Sequence, residues 1–329
     1  MKKILLIAIC ILTVGACQYK ELCYDHAHVV DVHLQYDWTE APEASPASMT
    51  AIFFPEQGGE AIRYDFSGMQ GGAARLASGR WQAASYNNDT ETILIRGTES
   101  AATLEAYTRS SSLREGSRMM SLTKGDMPRA KGAESEPVIL EPDLLWGGVG
   151  EAFELRDGVP QTVSLSPKPL VQNVSIVIRD VPNLQYVNDI GGAVSGLNGS
   201  VFLADGRPGE GTATQAFEVR KADATTLSMQ FLTFGYRQPE EADQPQEEMD
   251  TVPQILTIYA VMTDGTQWYY SEDISEQLQE GAQAPDQPGE PAQIVIDLPG
   301  MPIPEPAPTG SGFQPTVDGW QSIEIAVGM

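Results

Sequence analysis

The sequence predicts an all-β protein of two tandem β-sandwich domains behind an export leader, on three observations. Apolar residues recur with a period of two in several short runs, turn-forming clusters separate those runs, and 329 residues exceed one ordinary domain. The clusters at Pro55 to Gly59, Asn87 to Asp89, Asp205-Gly206 and Asp264-Gly265 are spaced as in sandwiches rather than βαβ units. A repeat of roughly 20–50 residues is absent, which argues against a solenoid or propeller.

The leader comes first. Lys2 and Lys3 form a charged start, Ile4 to Leu12 an apolar run, and Val14-Gly15-Ala16 a small-residue cleavage site closed by Cys17. This pattern resembles a bacterial lipobox, which implies removal of residues 1–16 and acylation of Cys17; the plainer reading is an ordinary signal with a chance cysteine. The apolar run is shorter than the ~20 residues of a membrane span, so the leader is expected to be removed. Cys10 leaves with it and Cys17 becomes a thioether, so Cys23 stands alone and no intrachain disulfide forms. Several acyl chains, at ~0.8 kcal/mol per buried CH2, hold far more firmly than one. By resemblance to lipoprotein sorting rules, Gln18 in place of aspartate points to the outer membrane.

Composition bounds the partners. The formal charge is −25, and loss of the two leader lysines takes it to about −27, which argues against nucleic acid and anionic headgroups. A 41% hydrophobic content is too high for a disordered chain despite 31 glycines and 23 prolines.

Past a lipidated segment, 17–27, Val30, Val32, Leu34, Tyr36 and Trp38 alternate with Asp31, His33, Gln35 and Asp37, the pattern of a half-buried strand. The same signal recurs at Val174, Ile176 and Ile178, at Ile294, Ile296 and Leu298, and at Ile323, Ile325 and Val327. The best helix candidate is Asp273 to Glu280, with Asp273 as cap. Asp157-Gly158-Val159-Pro160 suggests a boundary, giving sandwiches at 28–157 and 158–329. Gln238 to Asp250, Gly281 to Ala292 and Pro299 to Gly312 have the composition of long loops.

A family resemblance rests on Glu21-Leu22-Cys23-Tyr24-Asp25-His26, Tyr36-Asp37-Trp38 before Ala41-Pro42, Arg63-Tyr64-Asp65-Phe66 and Ser85 to Thr90. Pro167 to Val171, Leu232-Thr233-Phe234-Gly235 and a closing Trp320 strand continue it over nearly the whole mature chain. In order and spacing these resemble the fimbrium-anchoring lipoproteins of bacteroidete pili, in the fimbrillin superfamily. The resemblance implies transthyretin-like sandwiches, a cell-surface place at a pilus base, and a fimbrial shaft subunit as partner, joined by strand insertion. Gln321 to Met329, with Ile323, Ile325 and Val327 alternating, suits such pairing and equally suits completion of its own sandwich. Relatives that polymerise are trimmed near their first strand, and Arg63, Arg75, Arg80 and Arg96 leave that open.

Catalysis finds little support, and no cofactor is expected. His26, His28 and His33 are the three histidines, and an extended segment puts His26 and His28 on one face and His33 on the other, so no metal site is expected. Gly71-Gly72 and Gly191-Gly192 read as turns rather than phosphate cradles. The competing function is a glycan-binding surface lipoprotein, with Trp38, Trp81, Trp146, Trp268, Tyr269, Tyr270 and Trp320 as platforms or, more simply, core. Asp250-Thr251-Val252 resembles the acceptor of bacteroidete O-glycosylation, with Thr251 as the modified residue.

Overall fold

The computed structural model describes residues 29–121, 126–236, 252–282, 293–298, 300–306 and 319–323. In chain order, β1 (Val29–Tyr36), β2 (Ser48–Pro55), β3 (Ile62–Ser67), β4 (Gly71–Ala77) and β5 (Gly79–Asn87) begin a first lobe. The chain departs through β6 (Ile93–Arg96), β7 (Glu105–Thr108), a one-turn helix α1 (Leu113–Gly116) and β8 (Val138–Ile139). It returns through β9 (Trp146–Val149), β10 (Phe153–Leu155), β11 (Gln161–Leu165) and β12 (Lys168–Pro169). The second lobe takes β13 (Gln172–Ile178), β14 (Val187–Asn198), β15 (Ser200–Phe202), β16 (Thr212–Glu218), β17 (Arg220–Lys221) and β18 (Leu227–Thr233). It ends with β19 (Ile255–Met262), β20 (Gln267–Asp273), α2 (Ser275–Ala282), β21 (Gln293–Leu298) and β22 (Trp320–Ser322).

Each lobe is a sandwich of two sheets. In the first, β11-β1-β4 packs on β12-β9-β5-β2-β3, with β10 also paired to β5. Their shared core holds Leu34, Met49, Phe53, Leu76, Trp81 and Leu165. β1 buries Val30, Val32, Leu34 and Tyr36 and turns Asp31, His33 and Gln35 outward, as its period requires. In the second, β17-β18-β13-β21 packs on β22-β20-β19-β14-β16-β8. Val174, Ile176 and Ile178 of β13 and Ile294, Ile296 and Leu298 of β21 all enter that core. Phe217 stacks on Phe231 at 4.2 Å between ring centroids, joining the two sheets. The all-β tandem-sandwich expectation is therefore met.

The division expected at 157/158 is corrected by the hydrogen bonding. Asp157-Gly158 lies in the turn between β10 and β11, and β11 runs parallel to β1 while β12 pairs with β9, so the first lobe extends to Pro169. A tight turn and a linker share the same residue types, with Gly158 at φ 71° supplying the left-handed geometry.

The lobes are interlocked. β15-β7-β6 forms a small fifth sheet beside an apolar cluster of Ile52, Phe54, Leu104, Leu145, Val171 and Phe234, drawn from both lobes. Beyond β7, a strap beginning at Arg109 crosses the outer face of the second lobe, where Leu113, Met119 and Met127 pack on Ala193, Ala216, Tyr259 and Val261. Gly191 and Gly192, expected as turns, are interior to β14. A Cβ on Gly191 would lie 2.6 Å from Cβ of Ser117 and 2.8 Å from Cγ of Met119, so glycine is what lets the strap seat. Gly71-Gly72 likewise opens β4, where Gly71 at φ 79° lies against the Leu34 carbonyl. The Tyr259 hydroxyl donates to the Pro128 carbonyl (2.7 Å), and β8 closes the strap as a parallel neighbour of β16. Where β14 bulges between Val194 and Leu197, the Glu136 carboxylate accepts from the Gly196 N–H and from the Thr212 and Thr214 hydroxyls. α2 starts two residues after the sequence expectation, with the Asp273 carboxylate accepting from the Ser275 N–H (3.0 Å).

Candidate partner-binding site

The C-terminal strand is the element expected to pair with a partner. β22 lies parallel to β20 in the register Gln267 to Trp320, Trp268 to Gln321 and Tyr269 to Ser322. The Ile323 N–H then donates to the Tyr269 carbonyl (2.8 Å), and the Ile323 side chain packs on the second-lobe core. Trp320 meets Tyr259 edge to face, with 5.4 Å between ring centroids. The described start of this segment thus completes its own sheet, and β22 is terminal there. Ile325 and Val327 lie outside the described residues, as do Cys17, Cys23, His26, His28 and Thr251.

His33 is exposed on the outward face of β1. Among the described residues no three His, Cys, Asp or Glu side chains are grouped to hold a metal.

The aromatic residues are divided by strand alternation. In β20, Tyr270 is buried in the second-lobe core and Trp268 packs against that core, whereas Tyr269 packs on the opposite face with Trp320. Trp81 is buried in the first lobe, its indole N–H donating to the Ala77 carbonyl, and Trp146 is buried with Ala41 and Ala44. Trp38 is half-buried against Trp146 and donates to the Met69 carbonyl (2.9 Å). Trp81, Trp146 and Tyr270 are thus core side chains, whereas Trp38, Trp268, Tyr269 and Trp320 are half-buried.

Between the lobes lies an open cleft of about 1160 Å3, with Asn173, Ser175 and Gln230 of the second lobe on one wall and Asn87, Glu141 and Asp143 among the residues facing them. Glu141 is the electrostatic exception there. Burial pushes its carboxyl above the usual carboxylate range, against an accepted hydrogen bond from the Leu232 N–H (2.8 Å) and the field of Arg118. Asp143 accepts from the N–H groups of Glu91 and Thr92 (2.6 and 2.7 Å), fixing the loop after β5.

In the small β15-β7-β6 sheet, Glu105 binds Arg96 bidentately, with both N–O distances 2.7 Å, and also accepts from Ser200. The Arg96 guanidinium, then Ser200, hold its carboxyl below the usual range despite burial. Arg96 also stands 4.9 Å from the Tyr107 ring centroid. One network thus ties β6, β7 and β15 together. Sequence reading missed it because Ser200 lies 95 positions from Glu105 and nothing in the spacing of Arg96 and Glu105, nine positions apart, marks them as partners across a strand pair.

A family model described as a domain of unknown function, DUF5119, matches residues 16–218. A Bacteroides ovatus protein carrying the name of a candidate fimbrium anchoring subunit, Fim4B, is 26% identical over 341 residues, covering 96% of each chain. Among solved structures, a candidate adhesin from Bacteroides ovatus is 23% identical with a TM-score of 0.59, covering 88% of this chain and 94% of that one. A candidate adhesin from Bacteroides thetaiotaomicron is 11% identical with a TM-score of 0.50, covering 84% and 93%. The two structures share the fold, and the resemblance to fimbrium-anchoring subunits read from the sequence is borne out along nearly the full length.

Proposed function

This chain belongs to the DUF5119 family, and from that premise we propose that it is a lipid-anchored structural subunit that tethers a fimbria to the outer membrane. The observation that carries the reading is its likeness to Fim4B, which spans 96% of both chains and so takes in both lobes. Cys17 is the anchor in this proposal: its acyl chains hold the mature chain in the outer membrane with the two lobes on the cell surface. The role is structural and needs no catalytic group or cofactor.

The shaft joins by strand pairing at the C-terminal end. β22 is the last strand of its sheet, and an unpaired edge is a template for another chain's strand. The alternation of Ile323, Ile325 and Val327 in the sequence suits such pairing. Deleting residues 324–329, which leaves β22 and Ile323 in place, then releases fimbriae into the medium while the lipoprotein stays folded and membrane-bound. Loss of the lipoprotein itself on deletion assigns the segment to the chain's own core instead, and fimbriae that stay cell-associated after removal of the whole gene refute the tether.

Cys17→Ala tests the anchor separately, because no other leader cysteine sits at a small-residue site. Labelling by a fatty-acid probe is expected to vanish, and unchanged labelling refutes the assignment. Protease shaving of intact cells tests exposure; complete protection places the chain on the periplasmic side.

A further inference from the structure

The two lobes repeat one strand arrangement that bears on pulling. In the first lobe, the opening strand β1 runs parallel to β11, from Val32 beside Gln161 to Tyr36 beside Leu165. In the second, the opening strand β13 runs parallel to β21, from Asn173 beside Gln293 to Ile178 beside Leu298. The residue that ends each opening strand's pairing repeats as well. The Asp37 N–H donates to the Leu165 carbonyl (2.8 Å), and the Arg179 N–H donates to the Leu298 carbonyl (3.3 Å). Arg179 Nε adds contacts of 3.1 and 2.9 Å to the two Asp297 oxygens. After each parallel partner the chain crosses to the opposite sheet in a short strand, β12 on β9 and β22 on β20.

We infer that each lobe carries a shear clamp, and that end-to-end tension on the chain is borne by the β1–β11 and β13–β21 pairs. The geometry decides this. Load enters a lobe at the N-terminal end of its opening strand and leaves at the C-terminal end of the parallel partner, and for parallel neighbours those points are at opposite ends of the pair. Tension therefore acts along the strands, and their hydrogen bonds must fail together rather than one after another. The short strands β12 and β22, of two and three residues, yield first and pass the load to the clamps.

Side chains back both pairs. Val32, Leu34, Tyr36, Val163 and Leu165 are buried behind the first clamp, and sliding its strands drags them through a close-packed core. The clamp is a property of the fold; that it carries load in the cell rests on the tether proposed above.

Single-molecule force spectroscopy on the leaderless chain, with Cys17→Ser and Cys23→Ser, tests it. One handle is fixed at the N-terminus, and the second is placed either at the C-terminus or on Thr162→Cys, an exposed position beside His33 near the start of β11. The first geometry shears the β1–β11 pair; the second pulls both strands from the same end and unzips them. The released chain length identifies the first lobe in both. The rupture force of that lobe is expected to be about twofold or more higher in the end-to-end geometry, since forced unfolding follows the barrier along the pulled path. Equal forces overturn the clamp and leave the tether standing, whereas fimbriae retained by cells lacking the gene overturn the tether without altering the measured forces.

Discussion

Replacing Glu105 should unlock the small β15-β7-β6 sheet, and the structure sets the size of the effect. Its side chain is 10% exposed while that of Arg96 is 52% exposed, so Glu105→Ala leaves a half-solvated cation and a buried Ser200 hydroxyl without its acceptor. An unsatisfied buried hydroxyl costs about 1–3 kcal/mol. The two bonds to Arg96 would add about as much, discounted because half of the guanidinium is already in water. A total of about 3 kcal/mol lowers the midpoint of thermal unfolding by roughly 4–5 °C in a chain of this size. Scanning calorimetry of Glu105→Ala, Arg96→Ala and the double variant isolates the pair, with a coupling of about 1–2 kcal/mol expected. The pH dependence has a definite sign. The folded-state pKa of Glu105 is depressed below the ordinary 4.5, so its stabilisation is present above that value and is lost as pH falls through the folded pKa. The advantage of the native chain over Glu105→Gln should shrink accordingly in acid. A coupling below about 0.3 kcal/mol, or a gap that widens in acid, refutes the argument.

Glu141 has the opposite sign. Its pKa is raised by burial, so Glu141→Gln should stabilise the protein at pH 8, with the gain fading as pH falls through the raised pKa and the native carboxyl becomes neutral; unfolding midpoints across pH check this. Gly191→Val should push the strap off β14 at a cost of about 1–3 kcal/mol, read as faster proteolysis within residues 109–137, and wild-type resistance would contradict the close packing seen there. Phe53→Ala, which empties a fully buried site in the first-lobe core, should cost about 3–5 kcal/mol in denaturant unfolding; a loss below about 1 kcal/mol would contradict that packing. Thr251→Ala should remove a glycan mass from the mature protein, and an unchanged intact mass discards the acceptor.

Much of the fold was legible because strand burial is local arithmetic. Val30, Val32 and Leu34, or Ile294, Ile296 and Leu298, declare their buried face through spacing alone, and the sandwiches follow. What the spacing could not reveal is which strand neighbours which. The partnership of β1 with β11 joins residues more than a hundred positions apart, so Asp157-Gly158 looked like a linker although its turn lies inside a lobe. The glycines of β14 misled for a related reason: their role is to admit a strap whose residues lie far upstream. Burial of the tryptophans was equally hidden, since Trp268 and Tyr269 are neighbours in sequence and point to opposite faces.

The strap's route carries a consequence for biogenesis. Synthesis delivers the chain from its N-terminal end, yet β8 finds its partner β16 only after some seventy further residues have emerged, and the strap's bed on β19 arrives later still. Meanwhile the first lobe must wait for β9, β11 and β12 before its sheets close. Neither lobe can then mature as a self-sufficient module, and excising one would strip the other of strands or of cover. Assembly of such a threaded pair is slow by its long-range connectivity, which leaves sheet edges open until the late strands arrive and makes escort by a chaperone advantageous.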